Sequence, residues 1–310
     1  MDTNEIDLIK VLKAAIGEKY VLTDEHSLEF YSTDVYRSLE IPLAIIQPGN
    51  IGELQESVRI AAGLGISIVT RGGGASYTDA YLPTDPNSII IDTSRLNKIL
   101  EINEEDMFVT VEPGVTWAEM SAALAEKKLR TPFWGPFSGL KATVGGSTSQ
   151  NSVSMGTSAY GGSPESVLCY EVVLASGKMI KTGSLAMENS TPFFRNYGPD
   201  ITGIFSGDAG ALGVKASITL RLIKLPSHTL TCSFGFKTYD SMSQAMAAVA
   251  REESASSNWG LDPKLQQGQL GKVTFMDSIK AAYEVCKTAR NPLEAIVQLM
   301  KMALAGKRFL

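Results

Sequence analysis

The chain is poor in the residues that hold metals and cross-link polypeptides. Its 310 residues include two histidines, His26 and His228, and three cysteines, Cys169, Cys232 and Cys286. No Cys-x-x-Cys pair occurs and neither histidine adjoins another histidine or a cysteine. A zinc site and a disulfide framework are therefore not expected. The cysteines lie among apolar neighbours and read as small core residues, the histidines as surface or packing residues. Long apolar runs are missing too: none approaches the roughly 18 residues of a membrane span. The N-terminus, Met1-Asp2-Thr3-Asn4-Glu5, is acidic where a secretory signal is basic, so a cytoplasmic location without a membrane span is expected. Positive charge is scarce, with 28 Lys and Arg against 33 Asp and Glu. No Lys/Arg cluster reverses the net charge of -5 locally, which argues against a nucleic-acid surface. The mildly basic C-terminal stretch with Lys287, Arg290, Lys301, Lys307 and Arg308 reads as a solvated helix face.

Glycine, by contrast, is concentrated at chosen places. Arg71-Gly72-Gly73-Gly74-Ala75-Ser76-Tyr77 follows a buried-strand pattern over 66–70 and precedes a stretch rich in Pro and Asp over 79–87. Three adjacent glycines predict positive φ angles and N–H groups turned to one side, a nest for a phosphate or pyrophosphate. A dinucleotide-binding βαβ unit is the first rival, because Gly72, Gly74 and Tyr77 loosely echo G-x-G-x-x-G and Asp92 follows about 20 residues later. That motif needs a helix directly after the glycines. Pro83 and Pro86, in a polar segment without a 3.6 period, leave no room for one. The Gly-Lys-Ser/Thr ending of a P-loop is absent. A glycine-rich turn without a ligand remains the bland alternative.

In chain order, Ile6, Ile9, Leu12, Lys13 and Ile16 recur at helical spacing up to Gly17. A strand is expected over 43–47 and a helix over 52–62, with Asn50 and Glu53 as a variant capping box and Leu54, Val58, Ala61 and Ala62 inward. Strands are expected over 88–92 and 109–112, and a helix capped by Thr116 and Glu119 runs to about Lys127. The loop over 129–140 is rich in Pro, Gly and aromatic residues. A second small-residue stretch runs from Thr143-Val144-Gly145-Gly146-Ser147 to Tyr160-Gly161-Gly162. It buries so little apolar area that a bound ligand is the natural compensation for ordering it. Strands over 172–175 and 178–181 follow, then a third glycine loop over 207–213. In the strand over 214–223, alternating Val214, Ala216, Ile218, Leu220 and Leu222 predict one apolar face. Beyond Leu225-Pro226 the pattern gives a strand over 232–236 and a helix over 241–252 with Met242, Ala245, Met246 and Val249 inward. Helices over 278–288 and 292–305 close the sequence.

Taken together, these elements resemble the FAD-binding domain of the vanillyl-alcohol oxidase and p-cresol methylhydroxylase superfamily, which includes glycolate and D-lactate dehydrogenases. The resemblance covers about residues 48–226. It rests on Pro48-Gly49-Asn50 with Glu53, Arg71-Gly72-Gly73-Gly74, Val111-Glu112-Pro113-Gly114-Val115, Thr143-Val144-Gly145-Gly146 and Tyr160-Gly161. The run Glu171-Val172-Val173-Leu174-Ala175-Ser176-Gly177 and the stretch from Gly207 to Val214 complete it. It implies an α+β fold: a two-subdomain FAD-binding domain of the p-cresol methylhydroxylase (PCMH) type over 1–226, with subdomains of about 1–105 and 106–226. A partial α+β cap domain follows over 227–310. It implies FAD as cofactor, with Gly72, Gly73, Gly74, Ala75, Ser76 and Tyr77 at the pyrophosphate. Arg71 ends the strand beside them, and Pro113 and Gly114 lie along the cofactor. Thr143, Gly145, Gly146, Ser147, Ser149 and Asn151 run beside the ribityl chain and flavin, with Gly161 nearby and Val214 on the adenine side. Family members that link FAD covalently through the glycine loop carry His where this chain has Ala75, so a non-covalent FAD is expected.

The expected activity is that of an FAD-dependent oxidoreductase. It takes hydride from a C–H bond of an alcohol, hydroxy acid or phenol-type small molecule and passes electrons to oxygen, a quinone or a carrier protein. The alternative is a flavin-binding subunit, inactive alone, that needs a partner or a further cap segment. A homodimer or a partner subunit is compatible with either. No catalytic base is assigned, although Tyr36 and Tyr160 are candidate polar groups near the flavin. The aromatic loop Thr131-Pro132-Phe133-Trp134-Gly135-Pro136-Phe137-Ser138-Gly139, with Tyr197-Gly198-Pro199-Asp200, leans toward bulky or aromatic substrates.

Overall fold

A computed structural model describes residues 3–196 and 198–262, together with Lys264, Ala282, Ile296, Leu299 and Met300; over 3–7 it describes the backbone alone. Helix α1 (Thr3–Ile16) buries Leu8, Leu12 and Ile16, spaced four apart, and stops at Gly17, whose φ of 93° is left-handed. After β1 (Val21–Leu22) comes α2 (Glu25–Tyr31), which the expectation lacked. Its only sequence signal is the N-cap Asp24, whose carboxylate accepts the Ser27 N–H at 3.1 Å. β2 (Ala44–Ile46), α3 (Ile51–Gly63), β3 (Ser67–Arg71) and β4 (Ser88–Asp92) complete the first half. At the start of α3 the Asn50 side chain accepts the Glu53 N–H, while the Glu53 carboxylate reaches back one residue further, to the Gly49 N–H at 2.7 Å.

The first sheet has the order β1-β2-β4-β3, with β2, β4 and β3 parallel and β1 antiparallel to β2. Its central strand β4 is a run of isoleucine, Ile89-Ile90-Ile91, because helices and the second sheet leave neither face to water. Parallel neighbours ordinarily need a helical crossover. Here β3 and β4 are joined by residues 72–87 without one, as the prolines predicted.

The second half contains β5 (Ile99–Asn103), β6 (Phe108–Val111), α4 (Trp117–Glu126), β7 (Leu129–Arg130), α5 (Val144–Ser149) and α6 (Thr157–Tyr160). It continues with β8 (Val167–Val173), β9 (Met179–Lys181), α7 (Ile201–Ile204), β10 (Val214–Arg221) and β11 (Ile223–Lys224). An antiparallel sheet of order β5-β6-β10-β8-β9 forms its centre, and β7 pairs with β11. The edge strand β5 was not expected; a register shift between Ile99 and Glu101 breaks the alternation that would have announced it. The capping box of Thr116 and Glu119 is present as read.

Strand β10 corrects the expectation of a single apolar face. It lies between β6 and β8, and every residue from Val214 to Leu220 is buried. Its polar residues therefore need partners: Lys215 meets Asp208, Ser217 meets Glu171 at 2.8 Å and Thr219 meets Thr110 at 3.0 Å. Two apolar clusters result. One joins α1 and α3 to the first sheet, reaching Val214 and Ala216; the other gathers Trp117, Phe133, Tyr170, Ile218 and Leu220 around the second.

The chain divides into two compact units, Met1–Asn258 and Trp259–Leu310. Near the end of the first unit the expected strand over 232–236 does not form. Residues 225–240 are all exposed, and no described strand is placed to accept a ladder. Cys232 is accordingly exposed, whereas Cys169 is buried. The helix beyond it, α8 (Tyr239–Arg251), starts at the N-cap Thr238 and buries no residue fully; Met242, Ala245 and Met246 are half-buried and Val249 is exposed. The helices expected over 278–288 and 292–305, Cys286 and Tyr197 lie largely or wholly outside the described residues.

Candidate functional site

The glycine loop leaves β3 at Arg71 and presses against the second half of the domain. Only Gly74 of the three glycines has a left-handed φ, 63°. Gly72 and Gly73 are glycine for a different reason than predicted. A Cβ on Gly73 would overlap the Lys141 carbonyl oxygen and lie 2.6 Å from its carbon, and one on Gly72 would overlap the Thr143 hydroxyl. The close approach, not the torsion, excludes a side chain there. Among the described residues no protein acceptor takes the backbone N–H of Gly73, Gly74, Ala75, Ser76 or Tyr77. Such a row of donors lacking partners is costly unless water or a ligand meets it.

Side chains hold this loop in shape. Arg71 is buried at 7% exposure and donates from Nη1 to the carbonyls of Tyr31 (3.0 Å) and Thr33 (3.1 Å), while its guanidinium lies 4.6 Å from the Tyr81 ring. Burial lowers its pKa, though an arginine starts too high to lose its charge. The Tyr81 hydroxyl donates to the Ser76 carbonyl at 2.8 Å, and Thr78 donates to the Gln150 side chain at 2.8 Å, bridging to the opposite wall. Below, Asp92 gathers Tyr31 (2.7 Å), Gln47 (2.8 Å) and Ser94 (2.9 Å). Burial, then the adjacent Asp92 charge, raises the Tyr31 pKa and keeps it a donor.

The opposite wall is α5 and its flanks. Thr143 caps the helix by accepting the Gly146 N–H at 3.1 Å. Gly145 lies against Pro113, where a Cβ would come within 2.6 Å of the proline Cβ, and donates its N–H to the Pro113 carbonyl at 3.0 Å. The Ser147 hydroxyl accepts the Trp117 indole N–H at 2.7 Å, so this serine is aimed from behind by the buried core. Two residues other than glycine, Asn151 (φ 50°) and Ala209 (φ 52°), turn the chain in the left-handed region; Asn tolerates it and Ala does not. The third glycine loop closes the end of β3, with Gly210 against the Thr70 side chain. Behind it Asp208 and Lys215 form a buried ion pair at 2.7 Å. Burial lowers the Lys215 pKa, opposed by the Asp208 charge. Burial likewise pushes the neighbouring Tyr170 hydroxyl up to about 12.

Between the walls lies a cleft of about 390 Å³. Its lining includes Arg71 through Tyr77, Pro113, Thr143, Gly145, Gly146, Ser147, Ser149, Asn151 and Val214. Gly114 and Gly161 are not in the lining: Gly114 packs its α-carbon on the Thr93 and Leu96 carbonyls, and Gly161 packs on Glu165. Tyr36 is 73% exposed and Tyr160 stands near Arg130, and neither lines the cleft. The aromatic loop contributes Pro136 and Ser138 only. Phe133 is instead buried edge-on against Trp117 (5.0 Å), and Trp134 stacks under Arg130 (4.1 Å). Sequence reasoning missed Thr78, Tyr81, Gln150 and Lys215. Of these only Lys215 carried a signal, a charge inside an apolar strand.

Among the described residues no Asp, Glu or His lines the cleft. Its free donors, its two lining cations Arg71 and Lys215, and its walls of Gly, Ser, Thr and Pro suit a ligand with a diphosphate and a flat ring system. A flavin dinucleotide fits that donor set. The fold and cleft thus define a nucleotide-binding domain whose cleft offers mainly backbone donors.

Comparison with known proteins agrees. Residues 42–183 match the FAD binding domain family. The glycolate oxidase subunit GlcD of Bacillus subtilis (strain 168) is 30% identical over 218 residues, which is 70% of this chain and 44% of that protein. The mitochondrial D-lactate dehydrogenase [cytochrome] of Arabidopsis thaliana is 29% identical over 75% of this chain and 40% of its own length. The crystal structure of p-cresol methylhydroxylase superposes with a TM-score of 0.68 at 22% identity, covering 80% of this chain and 49% of that one. Residues 42–183 of the chain thus form an FAD binding domain, and the chain shares its fold with p-cresol methylhydroxylase. It spans about half the length of the curated relatives it matches. No described helix is long and apolar enough to cross a membrane.

Proposed function

We propose that this chain is the flavin-binding part of an FAD-dependent oxidoreductase that oxidises a 2-hydroxy acid at its hydroxyl-bearing carbon. The open row of N–H groups from Gly73 to Tyr77 carries the reading, because no acceptor among the described residues answers it and a diphosphate would. FAD bound there supplies the acceptor for a hydride from the substrate C–H bond. The chain's own part is to bind and orient. Gly72 and Gly73 let the donor row come close to the 141–146 backbone, Ser147 is held by Trp117, and Thr78 and Gln150 tie the walls together. Ala75 offers only a methyl group, so the cofactor is held without a covalent bond. A base must still take the hydroxyl proton. Among the described residues no carboxylate or imidazole lines the cleft, which supports a base supplied by the cap that we assign to 227–310.

Two points favour a hydroxy acid over a phenol. The relatives at 29–30% identity are named for glycolate and D-lactate. Two aromatic residues of the loop that might have walled a phenol site are spent on packing, Phe133 against Trp117 and Trp134 beneath Arg130. The electron acceptor is oxygen, a quinone or a carrier protein. The test is anaerobic mixing of the FAD-loaded chain with glycolate, D-lactate and a 4-alkylphenol while the flavin band near 450 nm is followed, a wavelength that is approximate and general to flavins. Bleaching by a hydroxy acid is expected; bleaching by the phenol alone would overturn the substrate class. Acid precipitation should leave the flavin in the supernatant, and a yellow pellet would contradict the non-covalent reading.

A further inference from the structure

Lys215 and Asp208 differ from the rest of the cleft wall, which is made of backbone and small side chains. Their ion pair is closed to solvent, with side chains 3% and 2% exposed. Asp208 Oδ1 accepts both from Lys215 Nζ at 2.7 Å and from the Gly210 N–H at 3.0 Å, while Oδ2 is buried without any donor. Lys215 spends one of its three donors on Asp208 and stands 5.4 Å from the Tyr170 ring centre. Among the described residues no other protein acceptor takes its remaining donors, and the residue lines the cleft. A buried pair left half-satisfied is less stable than apolar residues of the same volume. Its retention therefore points to what it meets in the cleft.

We propose that Lys215 is a cofactor-contacting residue: its ammonium donates a charge-assisted hydrogen bond to an oxygen acceptor of the bound flavin nucleotide. Asp208 is the positioning residue; it holds the ammonium at the cleft wall and balances its charge while the cleft is empty. Acceptor oxygens of this kind occur in the diphosphate and in the hydroxyl and carbonyl groups of the riboflavin half, and the experiment separates the two. The proposal rests on the cleft being the FAD site.

The experiment is equilibrium binding to the flavin-free full chain, by flavin fluorescence or competition against it. The ligands are FAD, riboflavin and ADP-ribose. The proteins are the unaltered chain, Asp208→Asn, Lys215→Met, and the charge-neutral double variant D208N/K215M, each with a melting curve. The double variant, which leaves no unpaired buried charge, should keep its fold and bind FAD at least tenfold more weakly. Asp208→Asn alone, which loosens the ammonium but keeps it as a donor, should weaken FAD binding less than the double variant does, and an equal or larger loss would overturn the assignment. A loss confined to ADP-ribose assigns the acceptor to the diphosphate, and a loss confined to riboflavin assigns it to that half. Equal weakening of both fragments would make the pair a mere prop of the wall and overturn the assignment. Unchanged FAD affinity in the double variant would overturn it as well. If the unaltered chain itself takes up no FAD, the reading of the cleft falls along with the assignment.

Discussion

The two sheets of this domain solve opposite problems. The first buries a strand of three consecutive isoleucines and keeps its polar business for the ends of its strands, where Arg71, Asp92 and the glycine loop lie. The second carries polar side chains through its very centre, with Lys215, Ser217 and Thr219 of β10 each matched to a partner on a neighbouring element. An apolar parallel sheet can offer a ligand its loop backbone without disturbing its core. A sheet that brings side chains to the ligand must accept polar groups inside and satisfy them one by one. The cleft uses both, one wall contributing donors of the main chain and the other a charge.

The sharpest way to break this contrast is at the backbone wall. Gly73→Ala puts a methyl group into the Lys141 carbonyl, so it should force the loop off the second half of the domain and lower FAD affinity by two orders of magnitude or more. Near-normal flavin content in the purified variant would show that the loop relaxes elsewhere. The side-chain wall predicts a stability effect instead. Lys215→Met strands a buried carboxylate and should cost about 3 kcal/mol in urea unfolding, whereas D208N/K215M should recover most of that loss. Equal losses in the two variants would mean that packing, not charge, sets the cost. Trp117→Phe keeps a ring in the core but deletes the donor to Ser147, for about 1 kcal/mol and a modest weakening of FAD. Ala209→Gly releases a left-handed alanine and should stabilise the chain by about 0.5 kcal/mol; a destabilised variant would mean that the alanine methyl packs against something it needs.

How much of this was legible follows from which forces are local. Capping boxes, Pro-broken crossovers and alternating strands are written over three to ten residues, so α3, α4, the helix-free link after Tyr77 and most strands could be read directly. The site was legible as a set of glycine loops, but the reason for Gly72 and Gly73 was not. Their neighbours are the Thr143 hydroxyl and the Lys141 carbonyl, some seventy residues away in sequence, and no local pattern reports such an approach. Lys215 was hidden for the same reason, because whether a lysine in a strand points to water or to a buried aspartate depends on which strands flank it. The strand expected over 232–236 failed in the reverse sense: its alternating apolar residues are real, and what is missing is a neighbouring strand to bond with.

The contact of Gly73 with the Lys141 carbonyl also bears on how the domain assembles. The loop belongs to the first sheet and its seat to the second, so the cleft exists only once the two halves have docked. Whatever binds in such a seam acts as a clasp. It favours the docked state by mass action, and its departure lets the halves breathe at the line where they join. Loading with FAD should thus raise the melting temperature as the free FAD concentration rises, and it should protect amide hydrogens along 72–78 and 141–147 from exchange together, as a single cooperative edge.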